Sequence, residues 1–218
     1  MNFDEPLDGW FTCVTWNVDL RLAGAVVRAS RRRDGCKEHL AGLARELAGE
    51  GGVRTAHALE TTFIPPIAGG PRYDLALLVH GDRALGDDVV ERATASGLPA
   101  PELVLTTRNS GRIADPEARD GEILLNHFAG RATRQDAVEA WRAVAPWYAD
   151  TLGVDNSTLL ETEPGAPYLI VNYAVIPGAV VPFLAGQLLR PSFHRVVRRR
   201  LRDAGITPCP VFTRRMGA

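Results

Sequence analysis

The chain has 218 residues, 45% of them hydrophobic and 23% charged, and a formal net charge of −1. This is a globular composition long enough to bury its own core, and a near-neutral chain has no global field to hold a polyanion, so nucleic acid is not expected as a partner. The longest apolar stretch, residues 168–182, is interrupted by Asn172 and two prolines and is too short to span a bilayer, so no membrane partner is expected.

In chain order, residues 10–20 (WFTCVTWNVDL) are rich in β-branched and aromatic side chains and read as a strand. Residues 22–33 fit either an extension of that strand or a short helix. Residues 36–48 place Leu40, Leu43, Ala44 and Leu47 at helical spacing, and Gly49, Gly51 and Gly52 stop the helix. Residues 58–67 read as a strand ending at a Pro-Pro edge, since proline cannot donate to a ladder. Residues 72–80 (RYDLALLVH) form the clearest strand of this half, 87–96 a short helix ended by Gly97, and 102–108 a strand. The polar stretch 109–120 reads as a linker.

The order β-α-β-β-α-β then repeats. Residues 122–129 read as a strand and 135–152 as a helix with Val138, Trp141, Ala145, Tyr148 and Leu152 on one side; Thr133 is a local cap candidate without a clean capping box. Residues 157–161 and 168–176 read as strands, 191–203 as a helix with proline at its start, and 209–214 as the last strand. Local wording repeats as well: GGPRYDLALLV answers PGAPYLIVNYAV, and VVERATASGLPAPELVLTTR answers VVRRRLRDAGITPCPVFTRR. The break implied is into modules 1–112 and 113–218. A four-stranded sheet with helices on one face leaves the other face bare, and two such sheets can bury those faces against each other.

The N-terminus MNFDEPLDGW has no apolar segment and reads as lacking a secretory leader. Cys13, Cys36 and Cys209 make neither a CxxC pair nor metal-ligand spacing, so the chain reads as a cytoplasmic protein with reduced thiols and no metal site.

This pattern resembles the dimeric α/β-barrel superfamily, in which ferredoxin-like modules pair sheet to sheet. The resemblance implies an α+β fold of two tandem ferredoxin-like βαββαβ modules closed into an intrachain α/β barrel, and it covers nearly the whole chain. The superfamily includes antibiotic-biosynthesis monooxygenases, muconolactone-isomerase-like proteins, chlorite dismutases and dye-decolourising peroxidases. Residues 61–82 (TTFIPPIAGGPRYDLALLVHGD) also resemble a segment of peroxidase-like barrels, but Thr62 stands where that family has His and Pro65 where it has Arg. These departures count against haem.

Several side chains are candidates for chemistry. Alternation sets Ile123, Leu125, His127 and Ala129 on one face of their strand and Leu124, Asn126 and Phe128 on the other, so a polar side chain must enter an apolar layer. His127 fits a general base, an axial haem ligand, or a hydrogen-bonded core histidine. Trp16 and Asp19 lie on the matching first-half strand, read as a core or pocket ring and a strand-end carboxylate. His80 and Asp82, two apart, fit either an oriented base pair or a turn in which Asp82 caps the next helix. Asn172 and Tyr173 interrupt the most apolar strand and could anchor a carbonyl or a hydroxyl, and Trp141, Trp147 and Tyr148 form an aromatic stripe on the long helix. In the superfamily ligands tend to lie between a sheet and its helices, so that stripe would line a pocket. The arginines at 195, 198, 199, 200 and 202 read as a solvated basic face.

The leading expectation is a small-molecule enzyme of secondary metabolism that carries out cofactor-independent oxygenation, isomerisation or cyclisation of a small hydrophobic substrate. His127, Asn172 and Tyr173 are the expected catalytic residues, and Asn126, Trp141, Trp147, Trp16 and His80 the expected substrate-binding residues. No cofactor is expected; the alternatives are a haem protein ligated by His127 or His194, and a non-catalytic binding module. The oligomeric state is left open between monomer and homodimer.

Overall fold

The computed structural model describes residues 2–217, which fall into two units. The N-terminal unit comprises Asp8–Arg108 with residues 213–217, and the C-terminal unit comprises residues 2–7 with Asn109–Phe212. The backbone passes from one to the other between Leu7 and Asp8 and again within two long strands, β6 (Leu103–Ile113) and β10 (Ile206–Arg215).

The N-terminal unit contains β1 (Trp10–Trp16), a small hairpin of β2 (Leu22–Ala23) and β3 (Val26–Val27), α1 (Arg31–Ala48), β4 (Val53–Phe63), β5 (Leu75–Gly81) and α2 (Gly86–Ala95). Its strands lie in the order β6-β1-β5-β4-β3-β2, with β1 antiparallel to β5 and β6, and β4 antiparallel to β5. Without the hairpin, this is the ferredoxin-like order of fourth, first, third and second strand. Alternation sends Val14 and Trp16 of β1, with Leu75, Leu77 and Val79 of β5, to one face, where they pack with Leu40, Leu43, Ala44 and Leu47 of α1 and Val89 and Ala93 of α2.

The C-terminal unit repeats the scheme with β7 (Ile123–Gly130), α3 (Arg134–Leu152), β8 (Ser157–Thr162), β9 (Ile170–Val175), α4 (Val180–Leu188), a π-helical stretch (Phe193–Arg198) continuing into α5 (Arg199–Asp203), and the first part of β10. Its order is β10-β7-β9-β8, with β9 antiparallel to β7 and β8. Phe128, Val138, Trp141, Val144, Leu159, Ile170, Phe193, Val197 and Leu201 form its core.

The α+β duplication expected from element order is therefore present, with local corrections. Residues 22–27 form a hairpin rather than a longer strand or helix, and α1 begins at Arg31 because the Ser30 side chain accepts from the Arg33 amide. β4 starts at Val53 and ends at Phe63, before the prolines. The stretch read as a linker is strand as far as Ile113, followed by a 3₁₀ turn at Pro116–Ala118. Thr133 does close a capping box, with Asp136 rather than Glu or Gln at the third helical position. Helix α4 was not foreseen, and the final helix has a π-helical first half.

One buried carboxylate fixes the end of β1. Asp74, 0% exposed, accepts from the Val18 amide at 2.9 Å and the Asp19 amide at 2.8 Å, holding the chain as it leaves the sheet. Asp74→Ala would strand both amides, and we expect a loss of about 2–5 kcal/mol in urea-denaturation stability. Asp74→Asn, which keeps an acceptor, should lose less; equal losses for the two variants would count against this account.

Candidate functional site

A cavity lies within the C-terminal unit, between the sheet and its helices. It is lined by Leu124, Asn126 and Phe128 of β7, Asn172 of β9, Ser157 of β8, Trp141, Val144, Ala145 and Tyr148 of α3, and Phe183, Leu201, Val154 and Ile113 around the rim. Its volume is about 40 Å³ of space open to a water-sized sphere.

The polar end is an amide pair. Asn126 and Asn172 are direct cross-strand partners, so their side chains leave the same face of the sheet close together. Trp141 Nε1–H donates to Asn172 Oδ1 at 2.8 Å, and Ser157 Oγ–H donates to the same oxygen. An indole N–H can only donate, so the atom facing it must be the amide oxygen, which leaves the Asn172 NH₂ as the donor group. Asn126 Oδ1 is buried and meets no hydrogen-bond partner among the described residues. The cavity thus has an amide donor and, buried beside it, an amide acceptor, in an apolar setting. Tyr148 is the one lining side chain with a titratable proton, and burial pushes its phenol up, so it stays neutral.

The packing behind this cluster explains two local features. β6 carries glycine at position 111, where a Cβ would lie 3.0 Å from the Trp141 ring. Phe3 covers another part of Trp141, with ring centroids 5.5 Å apart.

Of the residues singled out in the sequence, Asn126, Asn172 and Trp141 come together here. His127 and Tyr173 are on the opposite face of the same sheet and do not line the cavity, as the pairings Leu125 with Tyr173 and His127 with Val171 require. Tyr173 donates to Glu117 at 3.0 Å. His127 is 0% exposed and lies 5.0 Å edge-on from the Tyr168 ring. Trp147 is also outside: its Nε1–H donates to Ser192 at 3.2 Å, and its ring packs on Phe193. His194, the other expected iron ligand, is exposed; its Nε2 bonds the Leu188 carbonyl at 2.8 Å and its Nδ1 meets Arg198 at 3.3 Å.

The remaining candidates belong to the N-terminal unit. Trp16 is fully buried in its core. His80 bonds the Asp8 carbonyl at 2.8 Å and stacks on Phe11 at 4.0 Å, whereas Asp82 pairs with Arg54 at 2.9 Å. His80 and Asp82 are therefore not an oriented pair, and Asp82 does not cap α2, which has no side-chain cap. Asp19 accepts from Ser30 and Arg21, and these bonds hold its carboxyl below the usual range. Sequence reasoning missed Ser157, whose place beside Asn172 depends on strand register, and Glu60. Burial pushes the Glu60 carboxyl up, but bonds from Lys37 and Arg214 outweigh this and leave it below its ordinary value. Among the described residues no three His, Cys, Asp or Glu side chains gather as metal ligands, and the three cysteines are free thiols, that of Cys13 pushed up to about 12 by burial.

No family model and no curated protein matches the sequence. Solved structures do match. An anthrone oxidase-like protein superposes with a TM-score of 0.55 at 10% identity, covering 96% of this chain and 93% of its own. A protein assigned as a monooxygenase from Lactobacillus acidophilus NCFM gives 0.54 at 11% identity, over 94% and 92%. One assigned as a chlorite dismutase gives 0.52 at 9%, over 95% and 94%. The chain has the dimeric α/β-barrel fold. At these identities the likeness between dimeric α/β-barrel proteins is one of fold, and the chemistry must be argued from the cavity.

The buried histidine has a measurable consequence. Burial lowers the His127 pKa from 6.5 to about 4, against smaller opposing effects of the Leu125 and Cys209 backbone. Between those values the unfolded chain takes up a proton that the folded chain refuses. This contribution is therefore intact above the unfolded pKa and is lost as pH falls from 6.5 towards 4. We expect the urea-denaturation free energy to drop by about 2 kcal/mol between pH 7 and pH 5, and His127→Gln to remove most of that slope. An unchanged slope in the variant would show that other groups cause it.

Proposed function

We propose that the protein is a small-molecule enzyme whose hydrophobic, aromatic substrate binds in the helix-side cavity of the C-terminal unit, with oxygenation as the favoured reaction. The observation that carries this reading is the unsatisfied buried acceptor Asn126 Oδ1 beside the Asn172 NH₂, within a wall of Trp141, Tyr148, Phe128 and Phe183. A buried acceptor without a partner costs about 1–3 kcal/mol, and a ligand that donates to it recovers that cost. A phenol or enolised carbonyl suits both amides: Asn126 accepts its O–H, and the Asn172 NH₂ stabilises negative charge developing on its oxygen. The fold likeness to an anthrone oxidase-like protein and to a protein assigned as a monooxygenase supports this choice. In such a reaction dioxygen takes up electrons from the enolised substrate; one oxygen atom becomes the new carbonyl and the other leaves as water.

No carboxylate, histidine or lysine lines the cavity, so the reading gives its residues roles in binding, orientation and charge stabilisation rather than in taking the proton. His127 has no assigned step in it, because it lies on the other face of the sheet.

Haem, suggested by the likeness to a protein assigned as a chlorite dismutase, does not fit these residues. His127 is enclosed on the face away from the cavity, and both ring nitrogens of His194 are engaged at the surface. The cavity of about 40 Å³ is below the several hundred Å³ usual for drug-sized ligands, so a polycyclic substrate enters it only when a wall moves, and the case against haem rests on the histidines. That small volume favours, as a second reading, a non-catalytic module that binds a small ligand.

The test is dioxygen uptake by the purified protein, without added metal or cofactor, on a panel of anthrones and other polycyclic phenols. Turnover is expected, with Asn126→Ala and Trp141→Phe each lowering kcat/KM by about tenfold to a hundredfold while thermal stability is largely kept. Saturable fluorescence quenching of Trp141 without oxygen uptake would select the binding module. Neither binding nor turnover would remove both readings.

A further inference from the structure

The segment from α4 to α5 carries an unusual surface. Among the described residues seven large hydrophobic side chains are strongly exposed, and four of them lie here: Val181 (62%), Leu188 (50%), Leu189 (82%) and Val196 (43%). The same segment exposes Arg190, Arg195, Arg198, Arg199, Arg200 and Arg202, with Asp203 as its one carboxylate, shared by Arg199 at 3.5 Å and Arg202 at 3.6 Å. In a chain of formal net charge −1 this positive charge is strictly local.

The two kinds of exposure share one short stretch of chain. Val180, Phe183, Phe193, Val197 and Leu201 turn inward and anchor the segment, so the aliphatic and arginine side chains are what remains outside. The His194 Nε2–H to Leu188 carbonyl bond, 2.8 Å, ties the end of the apolar helix to the start of the basic one. The sequence alone favours a solvated face for these arginines over a site for an anionic ligand or a nucleic-acid backbone. That reading leaves four aliphatic side chains in water beside them without explanation.

We propose that this surface docks on a bilayer carrying anionic lipid, with Val181, Leu188, Leu189 and Val196 entering the headgroup region and the arginines meeting lipid phosphates. Aliphatic side chains together with a basic polar face are the signature of interfacial segments, and each basic residue near an anionic leaflet adds attraction. No helix among the described residues is long and apolar enough to cross a membrane, which fits lying on the surface rather than spanning. A twofold contact with a second copy would set six arginines against six, which is repulsive. Single-stranded nucleic acid would find no exposed Trp, Tyr or Phe in the segment on which to stack. Phe183 and Leu201 also wall the cavity, so docking would bring the proposed site next to a phase that dissolves hydrophobic substrates. The docking itself does not depend on that site.

The test is co-sedimentation of the full chain with vesicles of phosphatidylcholine, with and without phosphatidylglycerol, at low and high salt. Sedimentation with phosphatidylglycerol vesicles, weakened by salt and absent with phosphatidylcholine alone, is expected. Leu189→Glu and the double variant Arg195→Glu/Arg199→Glu should each reduce partitioning by about tenfold, with unchanged circular dichroism and melting temperature. Wild-type protein remaining in the supernatant would overturn the proposal, as would variants that sediment like wild type. So would binding to a DNA duplex but not to vesicles, or a dimer on gel filtration that Leu189→Glu dissolves in a protein that ignores vesicles. Oxygen uptake on soluble substrate should be unaffected by these surface changes, so failure here and failure of the enzymatic reading are separable.

Discussion

Two amides placed side by side in an apolar layer set the terms for the C-terminal unit. Asn126 and Asn172 leave the helix-facing side of the sheet, where the surrounding side chains are Leu124, Phe128, Val144 and Leu159. Buried amides must find partners, and this need reaches several elements. It is met by an indole N–H at Trp141 and a hydroxyl at Ser157, and Trp141 in turn crowds position 111 of β6, where a Cβ would lie 3.0 Å from its ring. One acceptor, Asn126 Oδ1, is left over, buried on a residue that lines the cavity.

The N-terminal unit provides an internal control from the same chain. Counting along the paired strands, Val14 and Leu77 occupy the register positions that Asn126 and Asn172 hold in the other unit. The inward helical series Leu40, Leu43, Ala44, Leu47 has its counterpart in Trp141, Val144, Ala145, Tyr148. In the first case leucine and valine fill the space between sheet and helix to close packing. In the second, two amides and two aromatic rings occupy the same positions and cannot interdigitate as tightly. The cavity follows from a few side-chain exchanges on a conserved layout of strands and helices.

Much of that layout could be read from the sequence, because strand and helix periods survive even where the two halves share few residues. Helix α4 escaped notice since Pro182, Gly186 and an apolar surface on nearly all sides give it no helical stripe. The polar, glycine-containing NSGRI reads as a linker, yet the last strand of the N-terminal repeat runs through it to Ile113. The sequence joins Asn172 to His127 and Tyr173 as catalytic candidates and sets Asn126 and Trp141 apart as binding ones, whereas the fold brings Asn126, Asn172 and Trp141 together and sends His127 and Tyr173 to the other face. Alternation shows that neighbours on a strand part to opposite faces; which face the helices cover is decided by packing. The register pairing of Asn126 with Asn172, rather than proximity in sequence, separates the cluster from the histidine.

The walls of the cavity are not equally firm. Leu124, Asn126, Phe128 and Asn172 stand on paired strands, and Trp141 and Tyr148 on a nineteen-residue helix with a capping box. Phe183 stands on α4, nine residues long, without a side-chain cap, preceded by Gly178 at φ 72° and buried only through Val180 and Phe183. Elements held by few apolar contacts open at the least free-energy cost. A cavity with room for only a few waters can admit a polycyclic molecule only if a wall moves, and the wall with the least to lose is α4. On the proposed reading the two amides stand on the rigid side and admission falls to α4, which separates orientation of the ligand from its entry.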